Sequence, residues 1–424
     1  MPLDLPLLTA DLPGAAGVIR QRPEDFLVEE LPLYPPTGAG EHVMLWVEKR
    51  RLTTTEAVQR VARAFRVRNQ AVGFAGMKDK HAVTRQHLTV HKPGAEAGDE
   101  ECLQRLDHPP LKLLWAQRHA NKLKRGHLRG NRFTILIRQA VPDALERARR
   151  ILDRLTSAGV PNYLGEQRFG NRGNNHLVAA AMLQARWRDA LDLMLGEDSL
   201  DAPWAEEGRL AYLRRDYVAA LKVWDHRLRH ERQALDALRQ GRDDRAAVLA
   251  IDPFQRSFFL SSFQGQVFNQ VLARRLEMGS FDRLLPGDLA CFADSRSIFP
   301  VDEDSAQQDN APGGRVTTLD VSPSGPMVGE GMPWAQGLPG EIEREALERT
   351  GVTQAQLASG EAGHAEGSRR PLRIRLQVHA VEEASDDRGP HLRVAFDLPR
   401  GSFATVVLRE VMKNEAGAAP TPEE

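Results

Sequence analysis

The chain has 424 residues, 41% of them hydrophobic, and its 57 Lys+Arg against 58 Asp+Glu leave a net charge of -1. That balance suits a globular protein of about two or three folding units; no apolar run reaches the roughly 18 residues of a membrane span, and no overall basic excess announces a polyanionic partner. The two cysteines, Cys102 and Cys291, lie far apart in sequence, which argues against a disulfide framework and fits a reducing, cytoplasmic setting.

The opening MPLDLPLLTADLPGAAG has an early acid, no basic stretch and several prolines, which is not the pattern of a secretory signal. DFLVEELPLY (25–34) reads as a strand, and HVMLWVEKR (42–50) as a second one alternating around Met44, Trp46 and Glu48. Thr53 and Glu56 have capping-box spacing, and Val58, Val61, Ala62 and Phe65 recur at helical spacing behind them. Residues 71–92 read as strand, turn, strand, with the turn at Met77–His81. RFTILIRQA (132–140) is another strand, and 143–159 a helix closed by Gly159. Strands of this half-buried kind, alternating with helices, predict an α+β unit with a mostly antiparallel sheet. Residues 160 to about 260 read as mostly helical, followed by the apolar helix FFLSSFQGQVFNQVLARRLEMG. From Asp294 to Arg315, and again over 357–369, the composition turns polar and disorder-prone. LRIRLQVHAVEE and HLRVAFDLP are late strands, and EAGAAPTPEE reads as a frayed tail.

The familiar chemistries are missing. There is no P-loop, CxxC, HExxH or GxSxG pattern, and GNRGNN (170–175) fits no nucleotide loop. The thirteen histidines are scattered, and two cysteines cannot form a thiolate zinc site alone. These observations signal neither metal nor cofactor and favour chemistry that runs on one carboxylate. GFAGMKDKHAVTRQ (73–86) offers it: Asp79 stands between Lys78 and Lys80, after a small apolar run that suits close approach of a ligand. An ionised Asp can attack carbon and later leave. Residues 117–132 hold Arg118, Lys122, Lys124, Arg125, Arg129 and Arg132 with two histidines and no acid, a segment suited to a phosphate backbone.

GMKDKHAVTRQ resembles the signature of the TruD family of tRNA pseudouridine synthases. PEDFLVEE (23–30), NKLKRGHLRGNRFTI (121–135), GVPNYLGEQRFG (159–170), RSFFLSSFQGQVFNQ (256–270), GPMVGEG (325–331) and LPRGSFATVVLRE (398–410) resemble further family blocks, in family order, over nearly the whole chain. The resemblance implies an α+β fold: a discontinuous catalytic domain with a mostly antiparallel sheet, residues 1–158 and 376–424, and an inserted α+β TRUD domain, residues 159–375, with tRNA taken up between them. It implies a cofactor-free, metal-free isomerase that turns a uridine of tRNA into pseudouridine, usually at position 13 of the D-arm and typically in tRNA-Glu, with no obligate protein partner. The catalytic aspartate falls on Asp79, as nucleophile or as base. Substrate-contacting positions fall on Phe26, Asn131 and Phe403, and Phe133 matches an aromatic position that other pseudouridine synthases fill with tyrosine.

A basic residue near the catalytic aspartate aligns with Arg20, with Arg22 as a competitor. Lys78 and Lys80 are read as holding phosphate, orienting Asp79, or both; Arg168 in GEQRFG is read as a phosphate contact or a structural ion pair. Against the family pattern the chain looks longer than a typical bacterial member, with the excess in the polar, loop-like stretches 294–320 and 341–370. Two other readings share these residues: a non-catalytic RNA-binding or RNA-folding protein on the same scaffold, and a pseudouridine synthase acting on another RNA.

Overall fold

The computed structural model describes residues 5–94, 99–196, 203–360 and 363–414, so the tail 415–424 lies outside the described residues. The chain divides into two compact units, one of Leu8–Val160 with Ile374–Glu424 and one of Met1–Leu7 with Pro161–Arg373.

In the first unit the chain order is β1 (Phe26–Pro32), β2 (His42–Arg50), α1 (Thr54–Ala64), β3 (Val72–Phe74), β4 (Val83–His91), α2 (Asp99–Leu106), β5 (Leu111–His119), β6 (Leu128–Arg138) and α3 (Ala144–Ala158). The unit closes with a hairpin, Gln377–Asp386 and Gly389–Pro399, and the helix Ala404–Met412. These strands form one sheet in the order hairpin, β6, β1, β4, β2, β5, with β3 on β4. Every pairing is antiparallel except β1 with β4. The architecture is α+β with a mostly antiparallel sheet.

Alternation sets the two faces. On β2 the odd positions Val43, Leu45, Val47 and Lys49 are all buried, and the three apolar ones share a core with Ala57, Val58, Val61 and Phe65 around α1. That helix begins at the capping box: Thr53 Oγ1 accepts from the Glu56 amide and the Glu56 carboxylate accepts from the Thr53 amide. The other face of the sheet carries a charge ladder, with Arg85 on Glu48 and Glu29 at 2.9 and 2.8 Å, and Arg132 on Asp397 at 2.8 Å.

The C-terminal hairpin brings late sequence beside early sequence. Phe396 pairs with Phe133, Leu398 with Asn131 and Pro399 with Gly130. Gly130 permits that last contact, because a Cβ there would stand 2.2 Å from the Leu398 carbonyl oxygen.

In the second unit, nine α-helices among the described residues between Asn175 and Glu348 are joined by a four-stranded sheet in the order Ser368–Pro371, Val321–Met327, Leu289–Phe292, Ile298–Pro300. Its spine is the helix Pro253–Glu277, started by Asp252, whose carboxylate accepts from the Phe254 amide, with proline at the first helical position. Phe259, Phe263 and Val267 of that helix lie in the largest core. Asn269 exchanges hydrogen bonds with the amide and carbonyl of Leu164, both at 2.9 Å.

Two expectations are corrected here. The stretch 294–315 is ordered: Asp302 caps a helix, Glu303–Asn310, and Arg315 pairs with Asp309 at 2.7 Å, while Val301, Ala306 and Val316 enter a small core. Likewise much of 341–370 is not loop, because Ile342, Ala346 and Leu347 bury one face of the helix Gly337–Glu348. A few small apolar residues and a good cap suffice where composition alone reads as polar. No described helix is long and apolar enough to cross a membrane.

Candidate active site

Asp79 lies in the loop between β3 and β4, with its side chain 27% exposed. Its Oδ1 accepts from the His81 amide at 3.0 Å, a local Asx turn that aims the carboxylate. Its Oδ2 meets Arg20 Nη2 at 3.1 Å. The Arg20 guanidinium carbon sits 4.3 Å from the centre of the Phe26 ring, and Phe26 meets Phe133 edge to face at 6.2 Å. Phe133 in turn packs on Phe396 at 5.6 Å. Carboxylate, guanidinium and aromatic rings thus form one continuous chain of contacts.

The competition between Arg20 and Arg22 is resolved by partners. Arg22 bonds Asp25, Asp386 and Asp387, and Asp25 and Asp386 also hold the buried Arg138. Arg22 belongs to that structural cluster, and Arg20 is the residue on Asp79.

Asn131 lies two positions before Phe133 on β6, which puts both on one face of the strand. Its Oδ1 is buried and has no hydrogen-bond partner among the described residues; the same holds for Arg20 Nε. A buried polar atom without a partner calls for an explanation, and an absent polar ligand is one. Phe403 is half-buried at the N-cap of the helix Ala404–Met412. It follows a turn whose Arg400 amide donates to the Arg129 carbonyl at 3.1 Å.

The lysines flanking Asp79 diverge. Lys80 is exposed. Lys78 turns inward, only 4% exposed, and its Nζ meets Glu30 Oε2 at 2.8 Å. Its amide donates to Thr54 Oγ1 at 2.9 Å. Lys78 is thus buried and paired, tying the loop to Glu30 and Thr54. Arg168 lies in the second unit, half-buried, with its guanidinium 5.9 Å from the Phe258 ring; desolvation pushes the guanidinium below its usual range.

The basic segment 117–132 is only partly surface. Arg118 is buried on Asp99 at 2.7 Å and His119 is buried at the end of β5, whereas Lys124, Arg125 and Arg129 are exposed.

Two buried charges beneath the loop, Glu30 and Lys49, escape motif reading. On β4, β1 pairs along Val83–Arg85 and β3 along Leu88–Val90, which leaves a gap at His87. The Glu30 carboxylate fills it, accepting from the His87 amide at 3.1 Å while holding Lys78. Burial opposes the ionised Glu30, but His87 and Lys78 outweigh it and hold the carboxyl below the usual range. Lys49 Nζ donates to the carbonyls of Leu52, Lys78 and Asp79. The available signal was parity: Glu30 shares the inward face of β1 with Phe26 and Val28, and Lys49 that of β2 with Val43, Leu45 and Val47. Among the described residues no group of three or more His, Cys, Asp or Glu is arranged to hold a metal ion.

Comparison with known proteins gives consistent matches. The family model described as tRNA pseudouridine synthase D (TruD) matches residues 2–411. The tRNA pseudouridine synthase D of Geobacter sulfurreducens is 41% identical over 419 residues, covering 97% of this chain and 98% of the relative. That of Syntrophotalea carbinolica is 41% identical over 409 residues, covering 96% and 99%. A crystal structure of a Methanosarcina mazei protein of the same designation superposes with a TM-score of 0.81 at 27% identity, over 97% of this chain and 96% of that one. Both sequence relatives are matched almost end to end.

Proposed function

We propose, since this chain belongs to the TruD family of tRNA pseudouridine synthases, that it isomerises a uridine of tRNA to pseudouridine, at position 13 of the D-arm and in tRNA-Glu, with Asp79 as the reacting carboxylate. The observation that carries the reading is the chain of contacts from Asp79 through Arg20 and Phe26 to Phe133, with the unmet Asn131 Oδ1 on the same strand face as Phe133.

A uridine inside folded RNA must leave its stack before its glycosidic bond can be reached. An extruded base gains about 1–3 kcal/mol by stacking on an aromatic ring, which Phe26 and Phe403 supply in this reading. Asn131 Oδ1 accepts a hydrogen bond from the uracil N3–H. Arg20 holds the Asp79 carboxylate in line, as a catalytic group must be oriented before it reacts.

Asp79 then acts as nucleophile, at C1′ of the ribose or C6 of the ring, or as base on a glycal route. In each case the N1–C1′ bond breaks, the uracil turns while bound, and C5 joins C1′. The C5 proton leaves and N1 gains one, so the balance needs no external oxidant, reductant or cofactor. tRNA is the partner, and the work is cytoplasmic. The domain assignment follows the same reading, with catalysis in 1–158 and 376–424 and RNA contacts added by 159–375, Arg168 among them.

The test is pseudouridine mapping of tRNA from cells lacking this protein, complemented with wild type or Asp79→Ala. Modification of position 13 restored by wild type and not by Asp79→Ala is the expected result. Position 13 unchanged in the deletion strain, with pseudouridine lost elsewhere in the transcriptome, would move the substrate to another RNA. Tight tRNA binding with no pseudouridine formed anywhere would make the protein a binder.

A further inference from the structure

Lys49 is the last inward-facing residue of β2, 0% exposed. Its register neighbours are Thr84 on β4 and Leu111 on β5, neither of them charged. Its ammonium donates to three backbone carbonyls, Leu52 at 2.6 Å, Lys78 at 3.2 Å and Asp79 at 2.8 Å. Leu52 precedes α1, whereas Lys78 and Asp79 are the centre of the loop that carries the reacting carboxylate.

A buried ammonium is costly, and an apolar residue of similar size would serve the core at least as well. Stability therefore gives no reason for an amine at this position. What the amine does, and a methionine could not, is collect carbonyls from two separate turns. It ligates the oxygens on both sides of the peptide that enters and the residue that is Asp79, while the Asp79 carboxylate points out to Arg20. The side chain of Lys78 anchors the loop through Glu30; Lys49 anchors it through the backbone of Asp79 itself.

Resting on the functional reading above, we propose that Lys49 is a positioning residue for the isomerisation: its ammonium staples the Lys78–Asp79 backbone to the start of α1 and so fixes the Asp79 carboxylate relative to Arg20 and the bound uridine.

The staple carries its own signature. Burial pushes the Lys49 ammonium down to about 8, the negative charge of Asp79 opposing that fall, Lys78 adding to it and Glu56 on α1 opposing it. A neutral amine has two N–H donors for three carbonyls, so the loop loosens as pH rises through that value. The folded value lies below the unfolded one, so the Lys49 contribution to folding stability rises over the same window. The activity loss is therefore not unfolding.

The experiment compares wild type and Lys49→Met by single-turnover pseudouridine formation on a tRNA transcript, tRNA Kd, thermal melting, and the rate between about pH 7 and 9. The expected result is a Lys49→Met protein that melts like wild type and binds tRNA within about twofold. Its rate is about 100-fold lower, the scale of a 1 Å displacement of a catalytic group, and it lacks the wild-type decline above pH ~8. A folded Lys49→Met with a rate within about threefold of wild type overturns the proposal. If Lys49→Met does not fold, hydrogen exchange of the wild-type protein decides. Protection of residues 77–82, corrected for intrinsic exchange, must fall across the same window, and flat protection overturns the staple. The exchange measurement also stands if wild type forms no pseudouridine, an outcome that rejects the functional reading and leaves the staple to be judged on the loop alone.

Discussion

Arg20 holds a backbone conformation that its side chain makes expensive. Its φ is +61°, in the left-handed region, which costs a non-glycine residue roughly 1–2 kcal/mol. What it gains there is modest. The pair with Asp79 is partly exposed, with side chains 28% and 27% accessible, and such pairs contribute about 0–1 kcal/mol. The stack over Phe26 at 4.3 Å adds about 0.5–1 kcal/mol. Strain and gain nearly cancel, so stability gives little reason for an arginine in this conformation, and the proposed role beside Asp79 supplies one. Arg20→Gly is expected to change the free energy of unfolding by no more than about 1 kcal/mol in a denaturant titration, since relieved strain offsets the lost pair. Single-turnover isomerisation by the same variant should fall about 10²–10³-fold, the usual cost of losing one aligned electrostatic group. A rate near wild type would remove Arg20 from the site.

The loop between β3 and β4 gains its order from the strands around it. Glu30 completes the β4 edge where β1 and β3 leave His87 unpaired, and it neutralises Lys78 in the same stroke. Glu30→Gln leaves the buried Lys78 ammonium without its counter-charge, and the expected loss of stability is about 3–5 kcal/mol. Its pH dependence has a fixed sign. The Glu30 carboxyl is held below the usual range in the folded protein, so the stability it contributes is complete above the unfolded carboxylate value of about 4.3 and is lost as pH falls through the folded value. Urea midpoints of wild type and Glu30→Gln should therefore differ most near neutral pH and converge as acid protonates Glu30. A gap that does not narrow in acid would show that the carboxylate charge is not what holds the loop.

These elements also show what a sequence can disclose. The capping box at Thr53 and Glu56, the turn at Met77–His81 and the alternation of β2 are local patterns, and each appears where the pattern puts it. α2 and β5 carry no such pattern, and the helix Glu303–Asn310 depends on a cap and on Val301 and Val316 closing over Ala306. The meeting of Asn131 with Leu398 is a long-range register that no local spacing encodes. Glu30 and Lys49 have the right parity to be noticed, but only the fold supplies their partners.

At the scale of the whole molecule the net charge of -1 conceals how the charges are spent. Arg118 is taken up by Asp99 and Arg132 by Asp397, at 2.7 and 2.8 Å, so half-exposed or buried arginines in the 117–132 segment are already neutralised. Lys124, Arg125 and Arg129 are exposed on the same segment, and Lys80 is exposed beside Asp79. Only cations that are not already paired release counterions when they meet phosphate, each adding roughly 0.7 to the salt slope for single-stranded and 0.9 for duplex nucleic acid. Replacing Lys124, Arg125 and Arg129 together by alanine should therefore lower the slope of log K against log salt for tRNA by about 2. Arg132→Ala should lower it by much less than one such increment, because its charge is committed to Asp397 and removing it exposes a carboxylate instead. Measured by filter binding over a range of salt, equal effects of the two changes would mean that the Arg132–Asp397 pair opens to the RNA, and no effect of the triple change would place the phosphate contacts elsewhere on the chain.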